Sequence, residues 1–442
     1  VPDSIDRRTF LTTSTAGVVG AGVVLRAERA DARVGGANDR VRIAVIGTGR
    51  QGVHDLREHM KLDDVDVVAV CDVFAANLAK GAEAAPKAEQ VTDFRRILDR
   101  KDVDAVVLGT PDHWHALMTV MACQAGKDVY VEKPTSVAIA EGRAMVEAAR
   151  KYQRVVQVGT QQRSAAHFRK AVDLVRGGFL GTVSFVRCWN AGNTFPAGLG
   201  VAADGPVPTG LDWDMWLGPA PKVPFNANRF GVRPDQWSTF RYFWDYAGGM
   251  MTDWGVHLID IVHWAMDVDA PTLVSAVGGT FALKDTRETP DTILASYRYP
   301  GFLMTYENRS TNARAINGHG YGIEFHGTDA TMFVDRAGFE VVPEKWDRTP
   351  ESASRTMAAS MASTPDNPSH ARNFVDCIKS RKTPASDIEV GHRSTSAAIL
   401  GNLAFRSGAS LAWDGKTETI EGNDRAKALL ARPYRAPWKI SV

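Results

Sequence analysis

The segment Asp253-Trp254-Gly255-Val256-His257-Leu258-Ile259-Asp260 carries the residue types of acid–base chemistry at helical spacing. Asp253, His257, Asp260 and Trp264 stand at i, i+4, i+7 and i+11, so a helix through them puts all four on one face. A polar stripe on an otherwise apolar helix is costly unless it is paired or functional. An imidazole base with a carboxylate to orient it is one such function. A hydrogen-bonded capping network is the structural alternative. Lys133 is the third candidate, in Tyr130-Val131-Glu132-Lys133-Pro134 at the end of an apolar run. An ammonium there can hydrogen-bond a hydroxyl and stabilise an alkoxide as it forms; the competing reading is an ion pair with Glu132. His113, His115 and His257 are conceivable metal ligands, but they form no clustered motif, and no metal is expected.

These groups need a reaction partner, and the start of the chain's first apolar strand points to one. Val41-Arg-Ile-Ala-Val-Ile runs into Gly47-Thr-Gly49-Arg50-Gln51-Gly52. In this spacing the first glycine permits a tight turn, the second lets the backbone approach a diphosphate, and the third allows close packing of helix on strand. The following helix offers free N–H groups and its positive dipole end. Val65 to Cys71 reads as the next parallel strand and ends in Asp72, twenty residues beyond Gly52, where a carboxylate can bind adenosine ribose hydroxyls. The loop residues Gly47, Gly49, Arg50, Gln51 and Gly52, together with Asp72, are therefore candidate ligands of a nicotinamide dinucleotide. Asp72 favours NAD over NADP. Thr110-Pro111-Asp-His113-Trp-His115 follows another strand, and in an open parallel sheet both it and Glu132-Lys133 face the crevice at the strands' carboxyl ends.

The elements that would position these residues fall into two patterns. Strands at Val41 to Ile46, Val65 to Cys71, Ala105 to Leu108, Val129 to Val131 and Val155 to Val158 alternate with helical stretches, the pattern of a doubly wound parallel sheet. Longer strands follow at Thr182 to Trp189, Thr272 to Leu283, Thr292 to Tyr299, Phe302 to Asn308, Gly322 to His326 and Thr331 to Val334, which predicts a large, open, mostly antiparallel sheet. Helices are expected near Ser369 to Ser380 and His392 to Arg406, and Asp347 to Pro368 reads as a polar surface excursion. The fold class is thus α/β, with residues 41–158 as a Rossmann domain and 159–442 as a C-terminal α/β domain. Between Asn190 and Gly249 lies a Gly-, Pro- and Trp-rich segment, and seven of the chain's eleven Trp fall between Trp189 and Trp264. Such rings stack on sugars or simply pin down a long loop, as Trp213, Trp216 and Trp237 could.

The chain's 442 residues exceed one core. With 52 Lys plus Arg against 51 Asp plus Glu the net charge is +1, so nothing marks a nucleic-acid partner. The four cysteines lack metal or CxxC spacing and read as buried thiols.

Taken together the segments resemble the glucose-fructose oxidoreductase and inositol dehydrogenase (Gfo/Idh/MocA) family. Gly47, Gly49 and Gly52 match its phosphate loop and Asp72 its ribose-binding acid. Thr110, Pro111 and His115 match the loop beside the nicotinamide, Glu132-Lys133-Pro134 its Glu-Lys-Pro signature, and Asp253 with His257 its Asp-x-x-x-His pair. Gly159-Thr-Gln161-Gln-Arg163 is similar to the segment entering the substrate domain, although the family more often has Asn where Gln161 or Gln162 stands. The resemblance implies hydride exchange with a sugar or polyol. His257 would accept the hydroxyl proton, Lys133 would stabilise the developing charge, and Asp253 would position the substrate or His257. Gln161, Arg163 and Trp244 are the substrate candidates, and a homo-oligomer, dimer or tetramer, is expected. An NAD-dependent, redox-neutral glycosidase of the same superfamily is the alternative, with a non-catalytic cofactor-binding regulator as a third.

Asp6-Arg7-Arg8-Thr9-Phe10-Leu11-Thr12 resembles a twin-arginine export signal, followed by a weakly apolar run, Leu11 to Leu25, and a small-x-small cleavage site, Ala30-Asp31-Ala32. Residues 1–40 therefore read as signal and linker, the mature chain is expected to be periplasmic or otherwise exported with no membrane anchor, and the NAD is expected to stay tightly bound.

Overall fold

In the computed structural model the described residues are 40–232, 238–344, 357–364 and 368–442. The export-signal reading and Trp237 lie outside them, as does most of the expected excursion from Asp347 to Pro368. Among the described residues no helix is long and apolar enough to cross a membrane.

Two sheets organise residues 40–442. Strands β1 (Val41–Ile46), β2 (Val65–Cys71), β3 (Glu89–Val91), β4 (Ala105–Leu108), β5 (Asp128–Val131) and β6 (Val156–Val158) form a parallel sheet in the order β3-β2-β1-β4-β5-β6. This is the dinucleotide-fold order, with its switch point between β1 and β4. Its central strands are almost wholly apolar, Arg42 near the start of β1 excepted, because helices cover both faces. The edge strand β3 was not expected: it has three residues, two of them exposed and polar, too few to show a period.

The second sheet holds β7 (Val183–Ala191), β8 (Leu273–Gly279), β9 (Thr292–Tyr299), β10 (Phe302–Arg309), β11 (Tyr321–Gly327), β12 (Ala330–Asp335), β13 (Gly338–Pro343), β14 (Ala359–Ala362), β15 (Leu411–Asp414) and β16 (Thr419–Glu421). Their order is β14-β13-β12-β11-β7-β10-β9-β8-β15-β16, antiparallel except where β10 runs parallel to β7. Alternation sets its two faces. Ile293, Ala295, Tyr297 and Tyr299 of β9 face a core with Ile259 and Val262 of helix Gly255–Met266 and Leu400 of helix Ile388–Ser407. On the opposite face Val277, Leu294 and Leu303 are exposed, Val277 directly opposite Leu294.

Several boundaries differ from expectation. Strand β8 stops at Gly279, four residues early, because Asp291 Oδ2 takes the main-chain N–H groups of Ala282 and Leu283, each at 3.0 Å. The helix expected from His392 begins at Ile388, where the Asp387 carboxylate caps Glu389 N at 3.0 Å. Strand β13, six residues with alternating burial, is not among the expected strands, and β14, β15 and β16, of four, four and three residues, are too short to show a period. The chain also returns to the first sheet: Phe374, Val375 and Cys377 of helix Pro368–Ser380 pack with Ile43, Val45 and Leu56. Trp438, Ile440 and Val442 pack on the cluster of Val106, Leu108 and Trp114. All four cysteines are free and buried.

Candidate functional site

The glycine turn after β1 is built as its spacing requires. Gly47 has φ +85, and a Cβ there would meet Gly109 and Thr110 main-chain atoms at 2.8 Å. A Cβ at Gly52 would lie 1.7 Å from Gly47 O, which fixes the helix Arg50–Met60 tightly against the turn. Beside Gly49 only Asn77 Nδ2 comes near, at 3.7 Å, so its backbone faces open space. The first turn of the helix carries no acid and begins with Arg50, which suits an anion at its N-terminus. Asp72 ends β2 and does two jobs with its main-chain contacts: Oδ2 accepts from Thr48 N at 2.8 Å and Oδ1 from Phe74 N at 2.9 Å. Burial pushes its carboxyl up to about 6 against the pull of these N–H donors. The Thr48 hydroxyl also approaches Oδ2, at 3.5 Å, whereas Oδ1 has the main-chain donor of Phe74.

This turn forms one end of a cavity of about 660 Å³ off the carboxyl ends of β1, β4 and β5. Gly47, Gly49, Arg50, Gln51, Asp72, Thr110, Pro111, His115, Glu132, Lys133, Gln161, Asp253 and His257 all line it. Gly52 lies beneath the turn. The cavity's size and mixed lining suit a dinucleotide with a small polar partner.

At its centre Lys133 Nζ donates to Asp253 Oδ1 and to Asp253 O, each at 2.9 Å. The pair with Glu132 weighed from sequence is not formed. Glu132 Oε2 instead accepts from the main-chain N of Lys133, and Oε1 from Gln51 and Gln161 amides at 3.3 and 2.8 Å. Arg241 Nε lies 3.6 Å from the other Asp253 oxygen. Burial opposes ionisation of Asp253, but the Arg241 and Lys133 charges outweigh it and hold the carboxyl at about 2. His257 is pushed well below its ordinary value by burial and then by the charges of Lys133 and Arg336, so the ring is neutral. Its Nδ1 is buried with no hydrogen-bond partner. Asp112 is pushed up to about 7 by burial and the nearby Asp253 charge.

The expected helical stripe divides. The helix breaks at Trp254 into Gly249–Asp253 and Gly255–Met266. Asp253 and His257 reach the cavity, whereas Asp260 turns into the core, where its Oδ2 accepts from Arg163 Nε at 2.7 Å. The Arg163 guanidinium also lies over Trp264, 5.1 Å from its centroid. Arg163 is thus placed off the cavity wall, in a structural ion pair. Trp244 stands away from the cavity as well, its indole N–H donating to Glu288 O at 3.1 Å. Trp213 and Trp216 stack at 4.7 Å within a cluster that pins the long loop.

The histidines weighed as metal ligands are engaged otherwise. His113 Nε2 meets Trp216 O at 3.0 Å, and His115 sits between the loops after β4 and β5, its Nδ1 2.7 Å from Pro134 O and its Nε2 2.9 Å from Thr110 O, so that the single N–H of the neutral ring donates to one of the two carbonyls. Burial holds both rings neutral. Among the described residues no group of three or more potential ligands comes together.

Sequence reasoning missed Gln162 as distinct from Gln161, and missed His167, Tyr242, Arg241 and Arg336, all of which line the cavity. Gln162 stands inside the Gly159–Arg163 segment, whereas His167 comes from the start of helix Ala166–Arg176, Arg241 and Tyr242 from the turn Thr239–Tyr242 and Arg336 from the turn between β12 and β13, so no spacing links these four to the motifs.

Residues 41–160 match the family model described as oxidoreductase family, NAD-binding Rossmann fold, and residues 171–332 and 338–440 the model described as oxidoreductase family, C-terminal alpha/beta domain. The uncharacterized oxidoreductase YrbE of Bacillus subtilis (strain 168) is 24% identical over 298 residues, 66% of this chain and 73% of its own length. Glycosyl hydrolase family 109 protein 1 of Shewanella sp. (strain ANA-3) is 28% identical over 202 residues, 40% of this chain and only 44% of its own length. Among solved structures, the WlbA dehydrogenase from Bordetella pertussis, in complex with NADH and UDP-GlcNAcA, shares the fold with a TM-score of 0.63 at 19% identity, over 85% of this chain and 99% of that one. The chain belongs to the Gfo/Idh/MocA oxidoreductase family.

Proposed function

We propose that this protein is an NAD-dependent dehydrogenase of a sugar or polyol. The observation that carries the reading is the Lys133–Asp253 pair beside the neutral His257, in a cavity whose other end is the glycine turn. Bound NAD, held by the turn, Arg50 and Asp72, supplies the hydride acceptor. The chain's residues do the rest. Neutral His257 accepts the hydroxyl proton at a ring nitrogen. Two of the three Lys133 Nζ donors are fixed by Asp253, which leaves one for the substrate oxygen as its charge develops. Asp253 thus positions Lys133; its partners are Lys133 and Arg241 rather than His257.

The cofactor choice rests on Asp72, which repels a 2′-phosphate when ionised. The exposed apolar side chains Val277, Leu294 and Leu303, the first two directly opposite one another, support a homo-oligomer built on the open sheet face. The twin-arginine pattern supports export and, because no NAD pool is maintained outside the cytoplasm, a cofactor that stays bound with a dissociation constant below about 1 μM. Protein purified without added nucleotide and then denatured should release NAD(H), detected by mass spectrometry. Folded but empty protein contradicts tight retention.

Free sugars and p-nitrophenyl glycosides test the reaction class. Reduced nicotinamide formed from free sugars agrees with the dehydrogenase, whereas aglycone released with no net reduction identifies the redox-neutral hydrolase.

A further inference from the structure

We propose that the cavity wall contributed by the C-terminal domain is a subsite for a sugar acid, in which Arg336 receives the substrate's carboxylate or phosphate while Gln162 and His167 read its hydroxyls. The proposal rests on the dehydrogenase reading of the same cavity and names the substrate class.

Three cationic side chains, Lys133, Arg241 and Arg336, line the reaction end of the cavity. Lys133 and Arg241 share the Asp253 carboxylate. Arg336 has no carboxylate within ion-pair distance among the described residues. Its guanidinium lies over Trp254, 5.0 Å from the ring centroid, and the same ring meets His257 edge-on with centroids 6.2 Å apart. The unpaired charge and the proposed base thus share the Trp254 ring as a neighbour, and the Arg336 charge is one of those that press the His257 pKa down.

The turn that carries Arg336 is held from three directions. Asp335 Oδ1 accepts from Ala337 N at 2.7 Å, Ala337 O accepts from Ser363 N at 2.7 Å, and Asp335 O faces His167 Nε2 at 2.9 Å. These bonds fix the backbone from which the Arg336 side chain extends.

The neighbouring polar groups lack partners in a way that fits hydroxyls. His167 is 2% exposed and is pushed below its ordinary value by burial, so its ring is neutral. With Nε2 facing a carbonyl, Nε2 carries the proton and the buried, unpartnered Nδ1 is an acceptor. Gln162, 5% exposed, has both amide atoms buried without partners, one donor and one acceptor. Both line the cavity. Unmade hydrogen bonds of this kind are costly to bury and are satisfied when a polyhydroxylated ligand enters. An acceptor, an amide and an unpaired guanidinium on one wall match a molecule with hydroxyls at one end and an anion at the other.

Calorimetric titration of the NAD-loaded protein with D-glucuronate, D-glucose 6-phosphate and D-glucose tests this, with the cofactor's absorbance followed in parallel. One of the two acids should bind roughly 10- to 100-fold more tightly than glucose, the range of a charge-assisted hydrogen bond, and which acid does so distinguishes carboxylate from phosphate. Arg336→Ala should abolish the preference and Arg336→Lys should restore part of it. His167→Ala should weaken acid and neutral sugar alike. Equal affinity for all three sugars, no binding of either acid, or a preference that survives Arg336→Ala in folded protein overturns the subsite. Oxidation of neutral sugars without preference would leave the dehydrogenase standing and remove only this proposal. Arg336-dependent binding of an acid with no reduction of the cofactor by any sugar would do the reverse.

Discussion

Two ion pairs stand on either side of the helix break at Trp254, and they do different work. Lys133–Asp253 and Arg163–Asp260 have similar lengths, 2.9 and 2.7 Å. The first opens on the cavity, and two cations hold Asp253 ionised. The second is sealed: Asp260 is fully buried with Arg163 as its counter-charge, and burial pushes its carboxyl above the ordinary value. A paired charge on an apolar helix therefore does not identify chemistry. What separates the pairs is the space beside them and the donor left unused on the lysine.

The largest effects should come from the cavity pair. Lys133→Met and His257→Ala are each expected to lower kcat by roughly 10²- to 10⁴-fold, the scale of a positioned acid–base group, with NAD affinity and Tm near wild type. Steady-state kinetics beside calorimetric NAD binding checks both, and near wild-type turnover in either variant removes that residue from its role. The core pair should respond in the opposite sense. Arg163→Leu leaves Asp260 buried without its counter-charge and should cost about 3–5 kcal/mol of stability, read by urea unfolding, while turnover per folded molecule stays close to wild type. Specific loss of turnover without loss of stability would return Arg163 to the substrate site.

Much of the first sheet and of the cofactor end was legible, because β1, β4 and the second half of β2 are buried and the glycine spacing has a local steric cause. Asp253 and His257 were legible as a pair by helical period, although the break at Trp254 and the true partner of Asp253 were not. That partner, Lys133, is 120 residues away and meets it only through the packing of the two domains. Arg163 and Trp244 stood in segments of the right kind, yet one is held in the core by Asp260 and the other faces Glu288. Arg336 and His167 gave no sequence signal, since a turn between β12 and β13 and a helix start bring them together.

Smaller effects sharpen the contrast. Asp72→Asn should reduce the preference for NAD over NADP about tenfold, measured by titration of emptied protein; an unchanged ratio would leave Asp72 only its clamp on Thr48 and Phe74. The two stripe carboxylates should also differ in pH response. Asp253, with its pKa lowered to about 2, contributes stability present above the unfolded value near 3.9 and lost as pH falls through about 2, so the deficit of Asp253→Asn should be flat from pH 5 to 8. Asp260, with its pKa raised, favours folding most below the unfolded value and less as pH rises through the folded one. Wild type should therefore lose ground to Asp260→Asn as pH rises from about 4. Urea unfolding across pH measures both, and parallel curves would contradict the distinction.

The most direct test of the site's chemistry follows the hydride itself. Stoichiometric NAD-loaded protein is mixed with a fully carbon-deuterated sugar from the oxidised panel, and the cofactor is recovered and weighed by mass spectrometry. Reduced cofactor carrying one deuterium is expected in wild type, and its loss in Lys133→Met and His257→Ala. Product formed with no deuterium in a reduced cofactor would contradict that chemistry.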